Sequence, residues 1–285
     1  MSKWIPIALL VLVWVPPICA QDGSLNSDPE WYRYGELPAQ QVVVFKPAAN
    51  HSSLSQSAIV VFHGGGWSMG SVEWAFGAAR RFAEMGMVGI AVSYRLSDQR
   101  TITPVDAMAD ARMAIRWVRK NAEQLGISPN RIAAYGWSAG AHLAASAAIF
   151  PDLPPQQKTS CVPNALLLKS PGVDVIGDHW FMKLLGDSLN PGEYSPVEHV
   201  HSELPPTLIL QGRTDTVTPL SGAQRFCDEM IEAGNRCDLV IYEGVGHLFT
   251  PAGEPDNGSP NSDPEVEKDS WRKMDGFLRS LGYID

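Results

Sequence analysis

The chain has 285 residues, 45% of them hydrophobic and 19% charged, with a formal net charge of -9. That length and apolar content allow a large buried core and exclude general disorder. No basic block interrupts the acidity, which excludes a nucleic-acid footprint and disfavours binding to anionic membranes.

After Lys3, an apolar run over 4–18 ends at Cys19-Ala20, ahead of Gln21-Asp22-Gly23. A short apolar segment closed by a small residue predicts a secretory signal peptide over 1–20, cleaved after Ala20. The run is shorter than the roughly 20 apolar residues a spanning helix needs, and it contains prolines, so no stable membrane anchor is expected. Pro16-Pro17-Ile18 before Cys19 lacks the small residues that lipid attachment prefers. The expected localisation is therefore secreted or periplasmic, with 21–285 as a single domain.

Beyond the leader, apolar runs at 42–45, 58–62, 88–92, 131–135, 165–168, 207–211 and 239–242 predict strands. Helices are predicted over 72–85, 106–125, 141–148, 220–233 and 264–281. In the second of these, Met108, Ala111, Ile115, Val118 and Ala122 recur at helical spacing, and Gly126 supplies the stop. Strand and helix in alternation predict an α/β fold, a mostly parallel sheet with helices on both faces. Two stretches break the alternation. Residues 170–203 are interrupted by glycines and prolines and carry Trp180, Phe181 and Tyr194; residues 254–263 are polar and rich in Pro, Gly, Asn and Ser.

Gly136-Trp137-Ser138-Ala139-Gly140 joins a predicted strand to a predicted helix. This is the setting of a nucleophile elbow, a strained turn that lifts a serine hydroxyl from the top of a sheet. Such a hydroxyl needs a base, an orienter for that base, and donors for an oxyanion. Among seven histidines, His247 follows the last strand on a Gly-rich loop and is the expected base. His63 precedes a glycine run and is expected to prop it, with Gly64. His142 follows the elbow on its helix and is expected to be packed; His51, His179, His199 and His201 read as loop or surface residues. Asp215 follows the strand at 207–211 and gives the order Ser, acid, His. Its competing reading is a helix cap ahead of Pro219. Asp238 begins a strand, and Asp228 and Glu229 fall on a solvated helix face. The expected oxyanion donors are the amides of Gly65, Gly66 and Ala139, the last at a helix N-terminus. No G-K-[ST] follows the glycine run, which argues against a phosphate loop. In an oxidising compartment Cys227 and Cys237 could close a small loop, leaving Cys161 as a free or buried thiol. No metal site and no cofactor are expected.

With His63-Gly64-Gly65-Gly66-Trp67, the serine pentapeptide, Asp215 and His247, the chain resembles the α/β-hydrolase superfamily. It is most similar to its HGGG-bearing esterase/lipase branch, near hormone-sensitive-lipase-like carboxylesterases and bacterial acetyl-esterase- and feruloyl-esterase-like enzymes. Tyr94-Arg95-Leu96 and the wording from Ser138 to Ala144 share that likeness. Trp137, where lipase-like relatives often carry Asp, and Ala141, where acetyl-esterase-like relatives often carry Gly, depart from it. Few residues precede the first predicted strand, too few for an N-terminal helical cap, so 170–203 is expected to be a partial cover. Without a cap there is little wall for a long acyl chain, at roughly 0.8 kcal/mol for each buried methylene. The expectation is a secreted serine carboxylesterase acting on short acyl, chiefly acetyl, groups of a small-molecule or polysaccharide-borne ester. The alternatives are an amidase or peptidase of the same fold, and a non-catalytic binding module.

Overall fold

A computed structural model describes residues 28–48, 56–150 and 158–285. The expected signal peptide and His51 lie outside the described residues. In chain order the elements are β1 (Glu30–Arg33), β2 (Gln41–Phe45), β3 (Gln56–Phe62), α1 (Phe76–Glu84), β4 (Val88–Val92), α2 (Pro104–Lys120), α3 (Ala122–Leu125), β5 (Ile127–Trp137), α4 (Ala139–Ile149) and β6 (Ala165–Lys169). They continue with α5 (His179–Leu185), β7 (Thr207–Gly212), α6 (Leu220–Glu232), β8 (Cys237–Tyr242) and α7 (Pro264–Ser280). Short 3-10 turns include Val72–Ala75, Pro191–Tyr194, Pro196–His199 and His247–Phe249.

One eight-stranded sheet runs in the order β1-β2-β4-β3-β5-β6-β7-β8. The pairs β1/β2 and β2/β4 are antiparallel, and every pair from β4/β3 to β7/β8 is parallel. Parallel strands joined through helices must be covered on both faces, and the side-chain alternation of β3 shows how. Ala58, Val60 and Phe62 join the core under α2, α4 and α6, whereas Ile59 and Val61 join the core under α1 and α7. Among the described residues, no helix is long and apolar enough to cross a membrane.

Local chemistry explains where the elements differ from the sequence expectation. The helix expected over 72–85 begins as a 3-10 turn and becomes α-helical only at Phe76. The helix expected over 106–125 starts earlier, at Pro104. Thr103 and Asp106 form a capping box there, and Pro at the first turn gives up no needed N–H. It breaks at Asn121 and ends at Gly126, whose φ of 69° makes the left-handed cap. β1 is absent from the sequence reading; its four residues alternate half-buried and exposed, too short a run to stand out. α4 is buried on every side, and its small residues let it lie between the sheet and α2.

The segments that lead into β2 and out of β4 are tied to the helical layer by one buried carboxylate. Asp110, fully buried, accepts from Arg95 Nε and the Arg95 amide at 2.9 Å each and from Gln40 Nε2 at 2.7 Å. Arg95 also pairs with Asp106 at 2.6 Å. Removing one partner of such a pair leaves a partly buried charge uncompensated, at a cost of about 3–5 kcal/mol. Asp110→Ala is therefore expected to lower unfolding free energy by about 3 kcal/mol in urea titrations, while Asp106→Ala, which removes a more exposed carboxylate from the same arginine, costs less.

Candidate active site

Ser138 stands between β5 and α4 at φ 54° and ψ -125°, a conformation that a side-chain-bearing residue adopts only under constraint. Its amide donates to Lys169 O at 2.9 Å. The flanking glycines are required by contact. A Cβ on Gly136 would lie 2.3 Å from Gly140 O, and one on Gly140 would lie 2.2 Å from Phe62 O. The turn is thus wedged against the end of β3, where the glycine run begins.

The three residues expected from chain order form one hydrogen-bonded chain. His247 Nε2 lies 3.0 Å from Ser138 Oγ, and His247 Nδ1 lies 2.9 Å from Asp215 Oδ2 and 3.2 Å from Oδ1. With Nδ1–H donating to the carboxylate, Nε2 is free to accept the serine proton. All three residues are buried. The capping alternative for Asp215 holds only locally: Oδ1 accepts from the amides of Val217 and Thr218, at 3.0 and 2.7 Å, as in an Asx turn. The other oxygen faces the histidine. Asp238 instead pairs with Arg236 at the surface, at 2.6 Å.

Three supporting residues escaped the sequence reading. Gln211 Nε2 donates to Asp215 Oδ2 at 3.0 Å, and Thr218 Oγ1 donates to the same oxygen at 2.9 Å. Ser170 Oγ accepts the amide of Leu248 at 3.0 Å and so fixes the residue after the histidine. Thr218 lay within reach as a hydroxyl three residues beyond an Asp; Gln211 and Ser170 carry no signal before β6 and β7 are laid side by side.

The glycine run lies beside the elbow. His63 Nδ1 is 2.6 Å from Gly64 O, and Tyr94 donates its hydroxyl to His63 O at 2.8 Å while stacking on the imidazole. Burial pulls the His63 pKa below its ordinary value, which keeps the ring neutral in this propping role. Among the described residues, nothing accepts the amides of Gly65 or Gly66. The Ala139 amide opens α4, where helix geometry leaves the first N–H groups without internal partners. Two unused donors on the glycine run and one at the start of α4 thus flank the corner that carries Ser138.

Residues 170–203 cover this corner. Trp180 on α5 donates its indole N–H to Gly66 O at 2.9 Å. Phe181 packs against Trp67 and His142. His142 accepts from Trp67 Nε1 at 3.1 Å through Nδ1, and its Nε2 meets Tyr194 O at 2.9 Å. His142 is therefore a packed strut linking the glycine run to the cover. Two histidines of the cover bond to backbone carbonyls: His199 Nε2 to Gly192 O, and His201 to Ser202 O and Ile149 O. The bridge considered between Cys227 and Cys237 is not formed. Both thiols are free and buried, and Cys227 donates to Cys237 O at 3.3 Å. Cys161 is also buried, forms no disulfide among the described residues and donates to Ala147 O at 3.4 Å.

The chain as a whole is similar to known proteins. The BD-FAE family model matches residues 44–160, and the TAP-like protein model matches residues 186–255. The solved structure of Thermogutta terrifontis esterase 2 phosphoramylated by tabun superposes with a TM-score of 0.76 at 34% identity, over 90% of this chain and 96% of that one. The isoprenylcysteine alpha-carbonyl methylesterase ICME of Arabidopsis thaliana is 26% identical over 75% of this chain and 55% of its own length. An acetylxylan esterase of Xylanibacter ruminicola is 29% identical over 73% of this chain and 43% of its own. The chain thus spans about half the length of the curated relatives it matches. The chain belongs to the α/β-hydrolase superfamily, within its esterase/lipase families.

Burial pushes the His142 pKa down to about 4 from an ordinary 6.5, against the opposing pull of the Tyr194 carbonyl. The unfolded chain binds this proton below pH 6.5, but the folded chain binds it only near pH 4. Stability is therefore fully present above the higher value and declines as pH falls through the window, by up to roughly 3 kcal/mol. His142→Gln is expected to flatten that part of the stability–pH curve measured by urea unfolding.

Proposed function

We propose that the protein is an exported serine carboxylesterase that hydrolyses short-chain, chiefly acetyl, esters through an acyl-enzyme. The observation that carries the reading is the unbroken contact from Ser138 Oγ through the His247 ring to Asp215 Oδ2, set beside unused backbone donors.

Ser138 Oγ attacks the ester carbonyl carbon while its proton passes to His247 Nε2. The carbonyl π electrons move onto oxygen, and the amides of Gly65, Gly66 and Ala139 receive the resulting oxyanion. Asp215 holds Nδ1–H and offsets the positive charge on the ring. Collapse of the tetrahedral species breaks the bond to the alcohol oxygen, which takes the Nε2 proton and departs. Water then attacks the acyl-enzyme, gives its proton to Nε2, and the proton returns to Ser138 as the acid leaves. The site already holds every group these steps use, so none of them calls for a cofactor.

The short-acyl reading is supported by the modest cover, in which the seven-residue α5 sets Trp180 against the glycine run. It is further supported by two relatives: the acetylxylan esterase, and Thermogutta terrifontis Est2, which has been solved with propionate bound. An ester carried on a polysaccharide is the substrate class most consistent with export of the chain. Export itself predicts a mature N-terminus at Gln21, read by sequencing the secreted product.

Ser138→Ala is expected to reduce hydrolysis of p-nitrophenyl acetate at least about ten-thousandfold and to abolish labelling by an organophosphate. Persistent labelling would move the nucleophile elsewhere. Along a series of p-nitrophenyl esters, kcat/KM should fall as the acyl chain lengthens from acetyl to decanoyl; a decanoyl maximum would refute the short-acyl assignment.

A further inference from the structure

The residues that follow the histidine adopt a costly backbone. Leu248 and Phe249 have φ of 50° and 67°, in the left-handed region that disfavours bulky side chains. Such residues cost on the order of 1–3 kcal/mol each and persist only where their surroundings over-determine them. The polar stretch 254–263, to which the sequence assigned no role, supplies that constraint. Asp256 Oδ2 accepts the amide of His247 at 3.0 Å, Ser262 donates its hydroxyl to Leu248 O at 2.7 Å, and the Asp263 amide donates to Phe249 O at 2.8 Å. Three consecutive residues, beginning with the histidine, are each held by this one loop.

Asp256 does more than hold the histidine loop. The oxygen that receives the His247 amide also receives the amide of Thr216 at 3.0 Å, and Oδ1 receives the Thr216 hydroxyl. Thr216 immediately follows Asp215. One carboxylate therefore fastens the loop bearing the acid to the loop bearing the base. The fit is close, since a Cβ on Gly246 would come within 2.5 Å of Asp256 Oδ2. Burial alone would raise the Asp256 pKa, but the Thr216 hydroxyl and the two amides hold it below the usual carboxylate range. The group is thus ionised at neutral pH, and its bonds to the amides are charge-assisted.

We infer that Asp256 is a positioning residue for the reaction, setting the separation of Asp215 and His247 by bridging the residue after the acid to the backbone of the base. This rests on the reading of His247 as the general base. Asp256 touches neither the substrate nor the imidazole ring; it acts through the backbone that aims the ring. Freed from it, the histidine loop can relax from its strained turn. Ring displacements of about 1 Å are enough to cost on the order of a hundredfold in rate.

The test compares wild type with Asp256→Ala and Asp256→Asn, using p-nitrophenyl acetate. Paraoxon titration counts the competent sites, and thermal melting reports the folded fraction. For Asp256→Ala, kcat per titrated site should fall about tenfold to a hundredfold, with KM within about twofold because the contacts to substrate are untouched. Asp256→Asn keeps an oxygen acceptor of the same reach without the charge, and should recover part of the loss. The inference is overturned if kcat per titrated site stays within twofold of wild type. It is equally overturned if the whole loss is a smaller number of titratable sites turning over at the normal rate, which is what a purely structural staple would give. A wild-type protein that neither hydrolyses the ester nor reacts with paraoxon would instead refute the reading of His247, a result distinct from a failure of Asp256.

Discussion

The close approach of the first turn of α4 to the end of β3 underlies every other feature of this site. Gly140 lies so near the carbonyls of Phe62 and His63 that any side chain there would collide with backbone. Because of that contact, the turn carrying Ser138 and the loop carrying Gly64 to Gly66 share one corner of the sheet. A nucleophile and its oxyanion donors must be placed to a few tenths of an ångström, and backbone wedged against backbone achieves this with few soft degrees of freedom. The unfavourable conformation of Ser138 follows from this contact, and the burial of α4 on all sides sustains it.

A buried carboxylate is costly unless its lone pairs are filled. Asp215 receives two backbone amides, a hydroxyl from Thr218 and an amide from Gln211, in addition to the histidine. These partners fix the carboxylate, so the imidazole has one favourable orientation rather than several. Electrostatic preorganisation here is a matter of hydrogen-bond donors held by β7 and the turn after it, and the charge needs no neighbouring cation.

The cover over residues 170–203 is anchored by aromatic packing more than by regular structure. Phe181 beneath Trp67 and His142, and Trp180 against Gly66, attach α5 to the glycine loop. A neutral imidazole suits this position, since it both accepts from the Trp67 indole and reaches the Tyr194 carbonyl. The cover is thereby coupled to the same loop that carries Gly64 to Gly66.

Much of this was legible in the residues. Alternating apolar runs define the strands because parallel strands covered on both faces must be apolar throughout, and Gly136-Trp137-Ser138-Ala139-Gly140 marks the elbow because only glycine fits on either side. Ser138, Asp215 and His247 could be ordered along the chain because each sits just beyond the end of a strand. What lay beyond reach involved contacts between segments far apart in sequence. β1 is too short to announce itself, α5 hides among glycines and prolines, and Gln211, Ser170 and Asp256 acquire their partners only when separate loops meet. The possible pairing of Cys227 with Cys237 was suggested by spacing, whereas the fold directs the Cys227 thiol to a carbonyl. The sequence by itself determined the elements, the order of the reactive side chains and the kind of chemistry they suit, since these follow from local periodicity and backbone sterics. The tertiary structure alone decided which polar groups hold them in place, because that depends on distances across the sheet edge that no local pattern encodes.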